Sequence, residues 1–206
     1  LFLDELPEFN RKALEALRQP LEDNLICISR IKRTLIFPAC FILAAALNPC
    51  PCGNYFSPQK VCHCSQAKIR KYLGKISGPL LDRIDLHIEV PQVNYRELSD
   101  TQDAESSTAI RERVENSRAI QRERFKQEGI FYNAQMNTRL IKKYCALNAA
   151  AKELLKMAIT ELVLSARGYD KILKVSRTIS DLAESKDILP EHIAEAIQYR
   201  SLDRQL

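Results

Sequence analysis

Residues 1–5 read Leu1-Phe2-Leu3-Asp4-Glu5 ("LFLDE"), an apolar run that stops on two carboxylates. A short apolar run bounded by polar residues has the pattern of a buried strand. A second run, "FILAAAL" at 41–47, stops in the same way on Asn48. Two such strands, each ending on a polar side chain suited to catalysis, point to an α/β fold. In open parallel sheets ligands bind outside the carboxyl ends of the strands.

An apolar strand ending in Asp-Glu is also the Walker B pattern. Its Asp holds the Mg²⁺ shell and its Glu polarises the attacking water. Asn48 would then orient that water or touch the γ-phosphate. The competing reading makes Asp4 the cap of the next helix.

Outward from these strands, "EFNRKALEALRQPLED" predicts a helix with Phe9, Ala13, Leu14 and Leu17 at helical spacing, broken near Pro20. "NLICISRIKRTLIF" alternates and predicts a hairpin with Arg30, Lys32 and Arg33 at its tip, although no Asn-Gly or Asp-Gly turn marks it. Three cations on a protruding turn attract a polyanion and release its counterions; a solvated turn is the alternative. "SQAKIRKYLGKIS" predicts a basic helix, and Leu86 to Val90 a strand closed by Pro91. The polar stretch from Asn94 to Ser107 reads as a linker. Beyond it the chain reads as helix throughout: one ending at the cap residue Gly129, then helices around 138–146, 149–164, 165–185 and 190–201. The expected organisation is a strand-containing part, 1–92, and an all-helical part, 93–206.

The 206 residues are 46% hydrophobic and 28% charged, with a formal charge of +5. That suits a folded core with a mild basic bias. No run reaches membrane-spanning length, and no signal-peptide pattern opens the chain; a cytoplasmic protein is expected. Residue 1 lies in mid-structure, so a fragment of a longer protein is expected.

Four of the seven cysteines fall in "LNPCPCGNYFSPQKVCHCS" (47–65) as Cys50-x-Cys52, nine residues, then Cys62-x-Cys64. An odd count without a secretory signature argues against a disulfide framework, and cysteines two apart bridge each other only under strain. Two Cys-x-Cys pairs can close a tetrahedral thiolate site for structural Zn²⁺. Gly53 allows the tight turn after the first pair, and His63 offers a substitute ligand. Unliganded thiols are the alternative; an iron–sulfur cluster has no redox feature in its favour. Cys27, Cys40 and Cys145 sit in apolar settings and are expected in the core. A second basic cluster, Lys60, Lys68, Arg70, Lys71, Lys75 and Arg83, is interleaved with Tyr55, Phe56 and Tyr72. It suits nucleic acid or a plain solvated face.

Arg83, in "GPLLDRIDLHIEV", reads as a surface ion pair with its flanking aspartates or as an arginine finger that offers charge to a phosphoryl group across a subunit boundary. Arg167, in "SARGYDK", opens a helix whose dipole it opposes. A phosphate partner would explain that placement; ordinary surface decoration is the alternative.

"LFLDELPEF", "AALNPCPCG", "ISGPLLDRIDLHIEVP" and "SARGYDKILKVSRTISDLAES", in that order, resemble the magnesium-chelatase-like AAA+ ATPases, and within them the ComM (YifB-type) competence proteins. The likeness runs over nearly the whole chain. It implies the C-terminal half of an AAA+ P-loop NTPase core with a zinc-loop insertion, followed by an all-helical lid. It assigns Asp4 and Glu5 to Walker B, Asn48 to sensor 1, Arg83 to the arginine finger and Arg167 to sensor 2, with Arg177 a rival for sensor 2. It matches Arg30, Lys32 and Arg33 to a pore hairpin that grips DNA.

The family's phosphate loop, G-x-x-x-x-G-K-[ST], does not occur in these residues and is expected upstream. Without it the chain carries half an ATPase site and is expected to be inactive alone. The resemblance further implies ATP and Mg²⁺ as cofactors of the longer protein. It implies a homo-oligomeric, hexameric ring, and action on DNA as a helicase or branch-migration motor in natural transformation. The alternative is a chelatase-type motor that remodels a protein partner for metal insertion into a tetrapyrrole. A third reading is a non-catalytic zinc module that binds proteins.

Overall fold

The structure is a computed structural model that describes residues 1–31, 33–55, 57, 60–91, 105–162, 164–200 and 202. Lys32, Phe56 and most of the expected linker, 92–104, lie outside the described residues. The chain divides into two compact units, one ending at Ile84 and the other beginning at Asp85.

In the first unit β1 (Phe2–Leu3) pairs in parallel with β4 (Ala44–Ala45), Phe2 against Ala44 and Leu3 against Ala45. The ladder runs on through Leu6 N–H to the Ala46 carbonyl at 2.9 Å. Both strands were expected to be buried, yet Phe2 is 67% exposed and β4 is exposed along its length. A parallel pair is buried only when helices cover both faces, and no described helix does so here.

Asn10 caps α1 (Arg11–Ala16), accepting from Lys12 N–H at 2.9 Å. Pro20 lacks an N–H, and its ring meets the carbonyl four residues back, at Ala16. The helix therefore breaks at Leu17 and resumes as α2 (Arg18–Asp23). Asn24 ends α2 in the left-handed region at φ 55°. It leads into an antiparallel hairpin, β2 (Leu25–Arg30) and β3 (Arg33–Pro38), with Arg30 opposite Arg33. Every residue of the two strands is exposed, including Cys27; Cys40 is exposed as well. The expectation that these two thiols are core residues is thereby corrected: a two-stranded ribbon has no second layer in which to bury them.

After the cysteine loop comes α3 (Gln66–Leu73), whose cap Ser65 accepts from Lys68 N–H at 3.3 Å. Next is the short α4 (Gly78–Leu81). Leu6, Leu14, Ile69, Tyr72, Ile76, Leu80 and Leu81 form the small core of this unit, with Cys50 among its buried residues.

The second unit opens with 85–91, which forms no strand. The apolar alternation predicted one, but no strand among the described residues pairs with it. Leu86, Ile88 and Val90 are exposed, while His87 is buried and donates its N–H to the Tyr199 carbonyl at 2.7 Å. The rest is helical: α5 (Ser107–Arg124), α6 (Thr138–Tyr144), α7 (Ala149–Leu162), α8 (Ala166–Leu182) and α9 (Pro190–Gln198). Phe125, Met136, Leu140, Leu155, Ile172 and Ile193 lie in its hydrophobic core. Cys145 is buried there too, as expected.

Candidate metal centre and nucleotide-site residues

Gly53, at φ +76°, folds the first Cys-x-Cys pair back, with its N–H on the Cys50 carbonyl at 2.9 Å. The turn delivers Cys50 and Cys52 to Cys62 and Cys64. Cys50 Sγ lies 3.3 Å from Cys52 Sγ and 3.7 Å from Cys62 Sγ, and Cys52 Sγ lies 3.6 Å from Cys62 Sγ. All four sulfurs fall within 4.8 Å of one another. Disulfide sulfurs sit about 2.05 Å apart, so none is bonded. A tetrahedron with Zn–S near 2.3 Å has edges of about 3.8 Å, close to the spacings seen. Cys50 is fully buried, Cys62 and Cys64 half-buried, and Cys52 exposed. His63 is exposed and is not part of the cluster, so the option of a histidine ligand is corrected.

The cluster shifts the titration of three of its thiols. The Asn54 backbone N–H, then the Cys50 thiol, draw Cys52 down to about 6. The Cys64 backbone N–H favours the Cys62 thiolate, but burial and the other thiols outweigh it and push Cys62 up to about 12. Burial, then Cys52, raise Cys64. Hydrogen bonds that favour one thiolate and burial of its neighbours set this unequal titration; a divalent cation would let all four ionise together. The donor set fits structural zinc, held by four protein thiolates with no open position for water.

Asp4 and Glu5 directly follow β1, and Asn48 follows β4 by three residues. Because the strands are parallel and adjacent, all three leave from the same carboxyl end. All three are exposed. Glu5 adopts φ 52° and ψ 50°, a left-handed conformation uncommon outside glycine and typical of functional sites. Asp4 Oδ1 accepts from Glu5 N–H at 3.0 Å. The Tyr72 phenol belongs to this neighbourhood: burial, then Glu8 and Glu5, raise it.

Arg83 is held in place. Its side chain is 10% exposed and pairs with Glu22, and Nη1 donates to the Pro79 carbonyl at 2.6 Å. Glu22 lies 61 residues from Arg83 in sequence, so no local pattern announces the pair.

In the second unit Arg167 is exposed at the start of α8, just after the cap Ser165, which accepts from Gly168 N–H at 3.1 Å. Arg177, the rival, is buried. Nε donates to Asp181 Oδ1 at 3.1 Å, Nη1 to the Lys186 carbonyl at 2.9 Å and Nη2 to the Ser185 carbonyl at 2.7 Å. All three of its nitrogens are engaged inside the fold.

At the hairpin tip Arg30 and Arg33 are exposed and Ile31 is fully solvated; Lys32 lies outside the described residues. Residues opposite each other share a face, so Ile26, Phe37, Ile28 and Leu35 line the face that ends on the two arginines. Among the described residues no helix is long and apolar enough to cross a membrane.

A strand-end acidic pair beside a strand-end asparagine, a four-cysteine loop and an all-helical second unit define a class. Residues 1–98 match the family "Magnesium chelatase, subunit ChlI", and residues 104–200 match "Magnesium chelatase, subunit ChlI C-terminal". The chain belongs to this magnesium-chelatase-like family of AAA+ ATPases. It is 47% identical over 207 residues to the competence protein ComM of Haemophilus influenzae, covering 100% of this chain and 40% of that protein. It is 40% identical to YifB of Escherichia coli and to YifB of Salmonella typhimurium, again over 100% of this chain and 40% of each relative. The chain thus spans 40% of the length of these relatives.

Proposed function

We propose that the chain is part of a ring-forming, hexameric ATPase that moves on DNA in the cytoplasm, driving branch migration when incoming DNA recombines during natural transformation. The observation that supports this most is the parallel pairing of β1 with β4. It sets Asp4, Glu5 and Asn48 at one strand end, with neither carboxylate in an ion pair among the described residues. Asp4 would hold the Mg²⁺ of bound ATP and Glu5 would take up the proton of the attacking water. Asn48 would orient that water.

Arg83 would act on the neighbouring subunit's nucleotide once released from Glu22. Of the two sensor 2 candidates Arg167 is the better, because its side chain is exposed and that of Arg177 is engaged on three sides. Arg30 and Arg33, with Lys32, would grip the DNA backbone.

ATP hydrolysis by a chain of the relatives' full length tests the reading. Glu5→Gln should retain ATP binding and lose turnover, since an amide keeps the shape but cannot accept the proton. Turnover equal to that of the parent would overturn the assignment.

The family match to a magnesium chelatase subunit supports a second reading, a motor that remodels a protein partner for metal insertion into a tetrapyrrole. DNA-stimulated turnover favours the first reading. Turnover indifferent to DNA favours the second.

A further inference from the structure

Between Asp23 and Asp82 the sequence has eight Lys and Arg residues and no Asp or Glu. The first unit, residues 1–84, holds 12 Lys and Arg against 7 Asp and Glu, an excess equal to the formal charge of +5 for the whole chain. The structure sorts these cations into two kinds. Lys75 is committed to Glu8 at 3.2 Å and lies over the Tyr72 ring. Arg83 is committed to Glu22. Lys68, Arg70 and Lys71 on α3 are exposed and pair with no carboxylate among the described residues.

From this sorting we infer that the outer face of α3 is a second nucleic-acid backbone contact, separate from the hairpin and held in place by the four-cysteine centre. The inference rests on the DNA reading above and names a further site for it. α3 buries Ile69 and Tyr72 on one side, which turns Arg70 and Lys71 outward and leaves Lys68 on the flank. Lys68 lies in the first turn, where a cation opposes the helix dipole, and like charges three residues apart repel. Among the described residues no carboxylate pairs with any of the three to offset either cost. A polyanion would: each phosphate neutralised releases a condensed counterion.

The helix begins one residue after its cap, and the cap directly follows Cys64. The thiolate centre therefore fixes the position and direction of its first turn. The loop leading to it is rich in turn formers (Pro49, Pro51, Gly53, Asn54, Pro58) and poor in apolar side chains, so burial alone does not order it. The competing role for these cations is to offset the charge of a zinc centre with four thiolates.

The test is the salt dependence of binding between the purified 206-residue chain and a short single-stranded oligonucleotide. The variants are Lys68→Gln/Arg70→Gln/Lys71→Gln and Arg30→Gln/Arg33→Gln, with zinc content measured on each. The triple α3 variant should keep its zinc and lose about 0.7 of slope in log K against log salt for each contact, or about 2 in all. Stripping the metal from the parent should remove the same increment and leave the share due to the hairpin.

An unchanged slope in the α3 variant, with a flattened slope in the hairpin variant, overturns the α3 site and leaves the DNA reading standing. Loss of zinc from the α3 variant overturns it in favour of a role in the metal centre. Metal-free chain that keeps the full slope overturns the coupling to the four-cysteine centre. No binding by the parent at low salt overturns the α3 contact and the DNA reading together.

Discussion

Arg177 and Asp181 stand one turn apart on α8, and Arg177 Nε donates to Asp181 Oδ1 at 3.1 Å. The carboxylate is fully buried and also accepts from Arg124 Nη1 at 2.6 Å and from Asn133 Nδ2 at 2.8 Å. One anion thus holds two guanidinium groups inside the helical unit. Removing one partner from a buried pair strands the other's charge, at a cost of about 3–5 kcal/mol. Asp181→Ala should lower the unfolding free energy of the helical unit by that order, measured by denaturant titration. A loss below about 1 kcal/mol, the scale of an exposed pair, would show that the network does not hold the unit.

The two sensor 2 candidates separate by stability. Arg177→Ala should destabilise the helical unit, because it frees the Ser185 and Lys186 carbonyls and leaves Asp181 with fewer partners. Arg167→Ala should leave the melting temperature within a degree or two and, in a chain of the relatives' full length, reduce turnover. If both variants melt like the parent and only Arg177→Ala loses turnover, the preference for Arg167 is wrong.

For the four-cysteine centre, elemental analysis of protein prepared reduced and without chelator should give one zinc per chain. X-ray absorption should give four sulfur neighbours at about 2.3 Å. Structural zinc binds small peptides with about 10–16 kcal/mol of apparent free energy, so a Cys52→Ser/Cys62→Ser variant should lose the metal and melt lower. A variant that melts like the parent would leave the cysteines as a local coincidence.

Glu128 gives the helical unit a pH signature. Lys143, then Tyr144, with Arg139 further down, hold its carboxyl down at about 2. Lys143 donates at 2.6 Å, Arg139 at 2.8 Å and Tyr144 at 3.0 Å. An unfolded Glu titrates near 4.3. A depressed carboxylate contributes stability above its unfolded value and loses it as pH falls toward its folded value. That contribution should fade between about pH 4 and pH 2, and Glu128→Gln should flatten stability against pH in that window. A variant with the parent's acid profile would assign the acid sensitivity to other carboxylates.

The elements that were legible in the sequence are those written in local pattern. The hairpin showed in the alternation around Arg30 and Arg33, the four-cysteine loop in its spacing, and the helices of the second unit in their periodicity; the expected cap Gly129 is corrected, since α5 ends at Arg124 with Phe125 as its cap and 125–129 form turns. The break between α1 and α2 was signalled by Pro20, though it falls at Leu17, where the proline ring reaches. What the sequence did not disclose depends on partners far along the chain. The Arg83–Glu22 pair is one case. The stretch from Leu86 to Val90, which joins no strand among the described residues, is another, because apolar alternation marks a segment fit to be a strand without naming the strand it pairs with. Arg177 and Asp181 carry an i, i+4 charge pattern, but only burial separates that pair from ordinary surface decoration.

Glu5 places stability and chemistry in opposition. A non-glycine residue at φ 52° carries strain of about 1–3 kcal/mol, which a glycine at the same place would relieve. Under selection for folding alone, random variants at position 5 should drift toward Gly or Asn, and the drifted chains should be the more robust. Under selection for a working motor the same drift should be purged. The residue enriched at this one position would report whether a population was being kept for its shape or for its work.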